Sequence, residues 1–362
     1  MKTARVVPIH KEGSKTSVEN YRPISLLASF SKVYEKLMHY RIIKFLESNK
    51  SLSDLQYGFR QGRSCEHALL KAQDILLDSL NTRQISLLLL IDFSKAFDMV
   101  DHEILLDKLE HYGVRGSSLK WMASYLNNRK QFVTINGSDS STKAMQFGVP
   151  QGSILGPLLF IIYINDIPNI LPTAKFILYA DDANIILTGS NIAEVNQQLD
   201  KLVNILPQWV SSNGLALNLK KTKYMIFSRS KTELTGPLIL CNTAIERESE
   251  SRFLGVIIDE NLTWARHIQT VQSKMTRYIG IMYKLKNLLP LKARILIYHS
   301  FIQSHINYCS LVWGFAARTH IDSLFSKQKK GIRAVVPGFI NYKYRDGVLP
   351  GHTKNILMSI IS

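Results

Sequence analysis

The stretch Phe176-Ile-Leu-Tyr-Ala-Asp-Asp-Ala-Asn-Ile-Ile-Leu187 constrains this chain more than any other. Two apolar, β-prone runs flank Tyr179-Ala180-Asp181-Asp182, so the spacing predicts a hairpin with paired carboxylates at its turn. Aspartate tolerates turn geometry, and a plain turn is the simplest reading of the pair. Yet adjacent ionised carboxylates repel, and burying either one uncompensated is costly. A bound divalent cation would remove both difficulties. A second run, Ile85-Ser-Leu-Leu-Leu-Leu-Ile-Asp-Phe93, has strand length and ends in Asp92. A strand this apolar is buried on both faces. One acid at such a strand end and two at a hairpin about 90 residues later suit two-metal phosphoryl transfer, in which carboxylates hold two divalent ions roughly 4 Å apart. Magnesium prefers oxygen ligands, so the site needs neither cysteine nor histidine.

Charge points the same way. The 362 residues carry 45 basic and 28 acidic side chains, a net +17, and a basic globular protein commonly has a polyanionic partner such as nucleic acid. Between Arg266 and Arg345 there are 14 Lys or Arg and a single acid, Asp322. A bias this long exceeds ordinary surface mixing and marks a candidate grip for a duplex. Cys65, Cys241 and Cys309 lie far apart without metal-ligand spacing, which fits buried free thiols in a reducing compartment. Neither a signal peptide nor an apolar run of membrane-spanning length is apparent. The expectation is an intracellular protein of nucleus or cytoplasm, not secreted and without a membrane partner.

In chain order, residues 6–11 read as a strand, 12–15 as a turn, and 20–25 as an edge segment broken by Pro23. Lys11 and Arg22 stand on neighbouring arms of this hairpin, where two cations could bridge a triphosphate or simply be solvated. Residues 31–46 show a helical stripe of Val33, Leu37, Tyr40, Ile43, Phe45 and Leu46. The loop Gln56-Tyr-Gly-Phe-Arg-Gln-Gly-Arg-Ser64 either contacts nucleic acid or caps the helix expected over 66–80. Asp98, Asp101 and His102 read as caps of a helix over 103–111, before a second helix over 117–126. Asn136-Gly137 joins strands over 131–136 and 143–147. The Gly/Pro-rich loop 148–153 opens a very apolar helix over 154–167, with Asp166 at its end. A helix over 191–212 precedes a turn and strand in 214–227, which carry Lys220, Lys221 and Lys223. Residues 252–258 form a short strand pattern with a central glycine. Helices follow over roughly 264–287, 290–306 and 320–334. Mixed strands, helices and hairpins indicate an α+β fold with an antiparallel sheet backed by helices.

Taken together, the chain resembles the reverse transcriptases of non-LTR (LINE-type, jockey-like) retrotransposons. The resemblance covers about residues 3–335 and rests on motifs occurring in the family's order. They are Asn20-Tyr-Arg-Pro-Ile-Ser-Leu-Leu27, Gln56-Tyr-Gly-Phe-Arg60, Ile91-Asp-Phe-Ser-Lys-Ala-Phe-Asp-Met-Val-Asp-His102, Gly148-Val-Pro-Gln-Gly-Ser-Ile-Leu-Gly-Pro157, Tyr179-Ala-Asp-Asp182, the segment 214–223, and Phe253-Leu-Gly-Val256. It implies a right-hand polymerase with fingers, palm and helical thumb. The reverse transcriptase domain would span 1–258 with its palm core at about 85–258, followed by a basic thumb-like region over 259–340 and an atypical tail over 341–362. Asp92, Asp181 and Asp182 match the metal-binding triad, with the Phe93 carbonyl as a further ligand. Lys11 and Arg22 match the triphosphate contacts, Phe97 the steric gate against a ribose 2′-hydroxyl, and Gln151 the loop residue near the incoming sugar. Lys221 matches the lysine that protonates departing pyrophosphate, in competition with Lys220 and Lys223. Phe253, Leu254, Gly255 and Val256 match the primer grip.

The activity so implied is RNA-directed DNA polymerisation: addition of dNTPs to a DNA primer on an RNA template, with two Mg2+ ions for which Mn2+ can substitute. The family's endonuclease and leading fingers segment are not found ahead of the motifs, and no ribonuclease H pattern follows. A truncated genomic copy is therefore expected. A catalytically inactive nucleic-acid-binding remnant is the alternative reading, and a steric-gate Phe97 argues against an RNA-synthesising polymerase.

Overall fold

A computed structural model of the chain describes residues 2–336. The expected tail over 341–362 and the end of the thumb-like region lie outside the described residues. Two compact units divide after Glu248. No helix among the described residues is long and apolar enough to cross a membrane.

In the first unit, strands β1 (Thr3–His10) and β2 (Tyr21–Leu26) form the expected antiparallel hairpin, with Ile9 opposite Arg22. Helix α1 (Ser29–Ser48) departs from expectation in its facing. Val33 (66% exposed), Leu37 and Tyr40 (62%) look outward, while Ser31, Glu35, Ile42 and Leu46 are buried. The cause is polar. Glu35, wholly buried, accepts the Ser31 hydroxyl and the backbone N–H groups of Ile154 and Leu155. That carboxylate satisfies orphan donors at the start of an apolar helix, as a capping acid does, and it rotates the stripe to the surface.

Helix α2 (Cys65–Asn81) starts at Ser64, whose hydroxyl accepts His67 N–H. Strand β3 (Ile85–Ile91) follows, then α3 (His102–His111) and α4 (Gly116–Leu126). Strand β4 (Arg129–Ile135) turns at Asn136-Gly137 into β5 (Ser138–Asp139), and β6 (Lys143–Met145) pairs further along it. β4 also runs parallel to β1, so the first strand is held by a partner more than a hundred residues away. Helix α5 (Leu155–Tyr163) is shorter than expected: the chain passes into a 3-10 turn at Ile167–Ile170, where Pro168 cannot continue an α-helix.

The sheet beneath the motifs has the order β12-β9-β3-β8-β7. Its strands β7 (Lys175–Tyr179), β8 (Asp182–Gly189), β3 and β9 (Lys223–Phe227) are antiparallel, and β12 (Glu246–Arg247) adds a parallel edge to β9. A minor pair, β10 (Ile239–Leu240) and β11 (Thr243–Ala244), precedes β12. β3 is central, and Leu87, Leu88 and Leu89 are fully buried. Helix α6 (Ile192–Ser212), capped by Asn191, packs on β8 and β3, while α2 packs on β7 and β3. Each of those three leucines gains about 1.5–3 kcal/mol from leaving water.

In the second unit, residues 252–258 are not one strand but a hairpin. β13 (Glu250–Phe253) turns at Leu254-Gly255 into β14 (Val256–Asp259). Helix α7 (Ala265–Leu285) buries Ile268, Val271, Met275, Ile279 and Met282 at helical spacing. Helix α8 (Leu291–Tyr298) continues through a π-turn at His299–Gln303 into α9 (Ser304–Asn307). The short α10 (Ser310–Trp313) and the long α11 (Arg318–Val335) complete the unit, with α11 packed on α7 and α8. Arg266, Lys274, Arg277 and Lys284 of α7 and Lys329 and Lys330 of α11 are all exposed. Of the three cysteines only Cys309 is buried; Cys65 is half-buried and Cys241 exposed, which corrects the expectation of buried thiols.

His267 makes this unit sensitive to acid. It is buried, it accepts Ile257 N–H at Nδ1 (3.3 Å), and its ring lies 5.5 Å from that of Trp313. Burial, with Lys274 and Arg252 adding repulsion, lowers its pKa from 6.5 to about 4. The fold therefore binds fewer protons than the unfolded chain between those values, and stability is lost as pH falls from 6.5 towards 4. Denaturant unfolding should show a loss of about 3 kcal/mol across that window. His267→Leu should flatten the dependence, and an unchanged pH profile in this variant would refute the assignment.

Candidate active site

Pairing of β3 with β8 sets the site's geometry. Ile91 faces Ala183, and Tyr179 faces Asp182 across a two-residue turn. Asp92, one residue past β3, therefore comes out beside the turn that carries Asp181 and Asp182. The charges register this proximity. The Asp181 carboxyl is held above its ordinary value by burial and by Asp92, against the opposing pull of its own backbone N–H, Arg22 and Lys11. Asp182 is exposed at the turn, yet surrounding protein that partly desolvates it, then Asp181 and Asp92, raise it to about 6, with Lys11 opposing. Three carboxylates from distant segments, and both cations of the N-terminal hairpin, thus act on one another at one end of the sheet. Lys11 and Arg22 are exposed, and Lys11 N–H donates to Asn20 O across the hairpin.

Asp92 is anchored by its backbone, its carbonyl accepting Asn218 N–H at 2.8 Å, while Ser94 N–H donates to Ala216 O. These bonds bracket the Phe93–Leu217 bridge, so the Phe93 carbonyl is turned away from that partner. Among the described residues, no three His, Cys, Asp or Glu side chains close around a single point as they stand. The donor chemistry nevertheless fits a hard divalent cation. The converging groups are all oxygens, and two have their ionised forms disfavoured first by desolvation and then by their neighbours, a cost that a cation relieves.

The loop 148–153 is fastened to the segment after Asp92. Gly148 N–H donates to Val100 O, Val149 N–H to Phe97 O, and His102 Nε2 to Gly148 O. Gln151 donates its side-chain amide to Asp98 at 2.9 Å, and its carbonyl accepts Ser25 N–H from β2. Of the three residues read as helix caps, only Asp101 caps α3, accepting from Glu103 and Ile104 N–H. Asp98 and His102 instead hold the loop, for cap spacing does not reveal that a distant glycine carbonyl and an amide would arrive beside them. Gly148 has φ +83, and a Cβ there would sit 2.7 Å from Asp98 O. Gly148→Ala should therefore cost about 2–4 kcal/mol in denaturant unfolding. A loss under half a kilocalorie would show that the loop can shift without harm.

Phe97 is half-buried and stacks on Phe160, centroids 4.6 Å apart at 28°. Lys221 is exposed in the turn whose Asn218 holds Asp92, donating its N–H to Asn218 O. Its rival Lys223 is paired with Glu246 and Glu248. Asp166, read as a helix-end residue, takes the half-buried Lys108 at 2.7 Å. In the second unit, Phe253 and Val256 are buried and face each other, leaving the Leu254-Gly255 turn as the tip; Tyr308 donates to Leu254 O.

The loop 56–64 contributes what the sequence did not announce. Its arginines are engaged, Arg60 with both Glu47 oxygens and Arg63 with Asp54. Ser64 caps α2, and Gln56 to Gly58 lie against the carboxylate turn itself.

Residues 9–258 match the family model described as reverse transcriptase (RNA-dependent DNA polymerase). The chain belongs to the reverse transcriptase family. It is 29% identical to the probable RNA-directed DNA polymerase from transposon BS of Drosophila melanogaster, over 92% of this chain and 38% of that one. With the RNA-directed DNA polymerase from mobile element jockey of Drosophila funebris it shares 30% identity over 92% of this chain and 37% of the relative. This reverse transcriptase chain thus spans under two-fifths of the length of these relatives. The structure of apo telomerase from Candida tropicalis superposes with a TM-score of 0.58 at 14% identity, covering 99% of this chain and 62% of the other. The fold is that of a right-hand polymerase, as the resemblance implied.

Proposed function

We propose that this chain is the polymerising part of a non-LTR retrotransposon reverse transcriptase, adding dNTPs to a DNA primer 3′ end on an RNA template. The observation that carries the reading is the convergence of Asp92, Asp181 and Asp182 with Lys11 and Arg22 at one end of the central sheet. Asp92, Asp181, Asp182 and the Phe93 carbonyl would hold two Mg2+ ions, or Mn2+ in their place. When bound, such ions make the primer 3′-hydroxyl nucleophilic and neutralise the leaving pyrophosphate. Lys11, a point charge, and Arg22, a planar fork, receive the triphosphate, whose negative charge replaces part of the field they now share with the carboxylates. Phe97 forms the wall against a 2′-hydroxyl, braced from behind by Phe160. Gln151 borders the sugar on a loop held to both β2 and Asp98. Lys221 donates a proton to departing pyrophosphate, and the ion pairs of Lys223 leave Lys221 and Lys220 as the candidates. The tip of 253–256 grips the primer, and the exposed lysines and arginines of α7 and α11 hold duplex phosphates.

We assign the polymerase domain to 1–258 and a thumb-like region to 259–340. Primer extension by the purified chain, with oligo(dT) on poly(rA) and magnesium, tests the proposal. Template-dependent extension supports it; retained primer–template binding with no extension would leave only a nucleic-acid-binding remnant.

A further inference from the structure

Resting on that proposed function, we infer that Gln56 is a positioning residue that fixes the carboxylate turn from below. Residues 55–57 run beside the end of β7 as an added parallel segment: Leu178 N–H donates to Leu55 O (2.9 Å) and Tyr57 N–H to Leu178 O (2.8 Å). At the point where β7 ends, the side chain takes over. Gln56 Oε1 accepts Ala180 N–H at 3.1 Å and Gly58 N–H at 2.7 Å. Both partners are donors, so the oxygen and not the nitrogen must face them.

Three features show that this contact is specific. Ala180 has φ +54, a left-handed conformation that a residue with a Cβ adopts at a cost and keeps only when its surroundings impose it. It immediately precedes Asp181, so its backbone angles set the direction in which Asp181 leaves the turn. A Cβ on Gly58 would stand 2.4 Å from Ala180 N, so the 56–58 backbone approaches the turn as closely as glycine alone permits. Gln56 is 1% exposed, and its Nε2 has no hydrogen-bond partner among the described residues. A bare buried donor is a burden that methionine or leucine would not carry. Neither of those could accept Ala180 N–H. The side chain is therefore explained by the turn it holds and not by core packing.

The experiment compares wild type with Gln56→Met, of similar length but without an acceptor, and with Gln56→Glu, which keeps one. Gln56→Asn, one methylene too short to reach Ala180, serves if the methionine variant does not fold. Amide hydrogen exchange at Ala180, Mn2+ affinity, kcat for primer extension, primer–template affinity and thermal midpoint are measured together. The methionine variant should exchange Ala180 about tenfold faster. It should bind Mn2+ and turn over about 10- to 100-fold less well, with primer–template affinity and midpoint nearly unchanged. Gln56→Glu should restore Ala180 protection and part of the Mn2+ affinity. Normal Mn2+ binding by the methionine variant overturns the positioning role, as does a loss of Mn2+ affinity matched by an equal loss of primer–template affinity. Failure of the wild type itself to bind Mn2+ overturns the proposed function and, with it, this inference.

Discussion

Replacing Asp181 with asparagine should reduce primer extension by about 10³-fold or more while leaving primer–template affinity at matched salt within a factor of two. The substitution keeps the side chain's shape at the tip of the β7–β8 hairpin, so the fold has no reason to fail. It removes a charge from a cluster in which burial and Asp92 already press the Asp181 carboxyl towards its neutral form. Asparagine relieves that repulsion, and the variant's thermal midpoint should rise slightly even as activity disappears. That opposition between stability and turnover separates a ligand from a structural acid: a structural carboxylate, once lost, would lower both. The informative measurement is single-turnover extension beside fluorescence-anisotropy binding. A large loss of binding with proportionate loss of extension would mean that the carboxylates shape the nucleic-acid surface.

Phe97→Val should reduce discrimination against ribonucleotides by about 10²-fold, read as the ratio of kcat/KM for a dNTP and the matching rNTP. A wall excludes only if it cannot retreat, and Phe97 is backed by the fully buried Phe160 in a stacked contact. Val149 N–H donating to Phe97 O also ties its backbone to the loop of Gln151. Truncation opens space on the solvent side and loses part of the stack, a stability cost of about 1–2 kcal/mol. Phe97→Tyr controls for bulk: it should keep the discrimination. An unchanged ratio in Phe97→Val would show that the ring is core and nothing more.

Much of this architecture could be read in advance because it is written locally. The apolar run of β3, the apolar, β-prone runs on either side of Ala180-Asp181 and the helical period of α6 each state their own secondary structure. The grouping of Asp92 with Asp181 and Asp182 rests on a strand end, a hairpin turn and the order of the family's motifs. What could not be read depends on partners remote in sequence. The stripe on α1 suggested a core face, but the buried side is chosen by Glu35, whose N–H donors lie some 120 residues away at the start of α5. Asp98 and His102 had helix-cap spacing, yet their partners come from the 148–153 loop. Gln56 looked like part of a polar loop able to touch nucleic acid; nothing in its neighbourhood signals the N–H of Ala180. The glycine at 58 was the available clue, since a glycine needed for close approach implies something to approach.

The order in which these strands are made has its own consequence. β3 is the uncharged heptapeptide Ile-Ser-Leu-Leu-Leu-Leu-Ile, central in its sheet, and its two neighbours are β8 and β9. Both are encoded later, beginning at Asp182 and Lys223. At ordinary rates of synthesis, roughly 5 to 20 s pass between completion of β3 and the appearance of β8. Throughout that interval the strand has two unsatisfied edges and the composition of an aggregation-prone segment. The same apolar strand that secures Asp92 in the finished sheet makes the nascent chain dependent on protection until its last partner emerges.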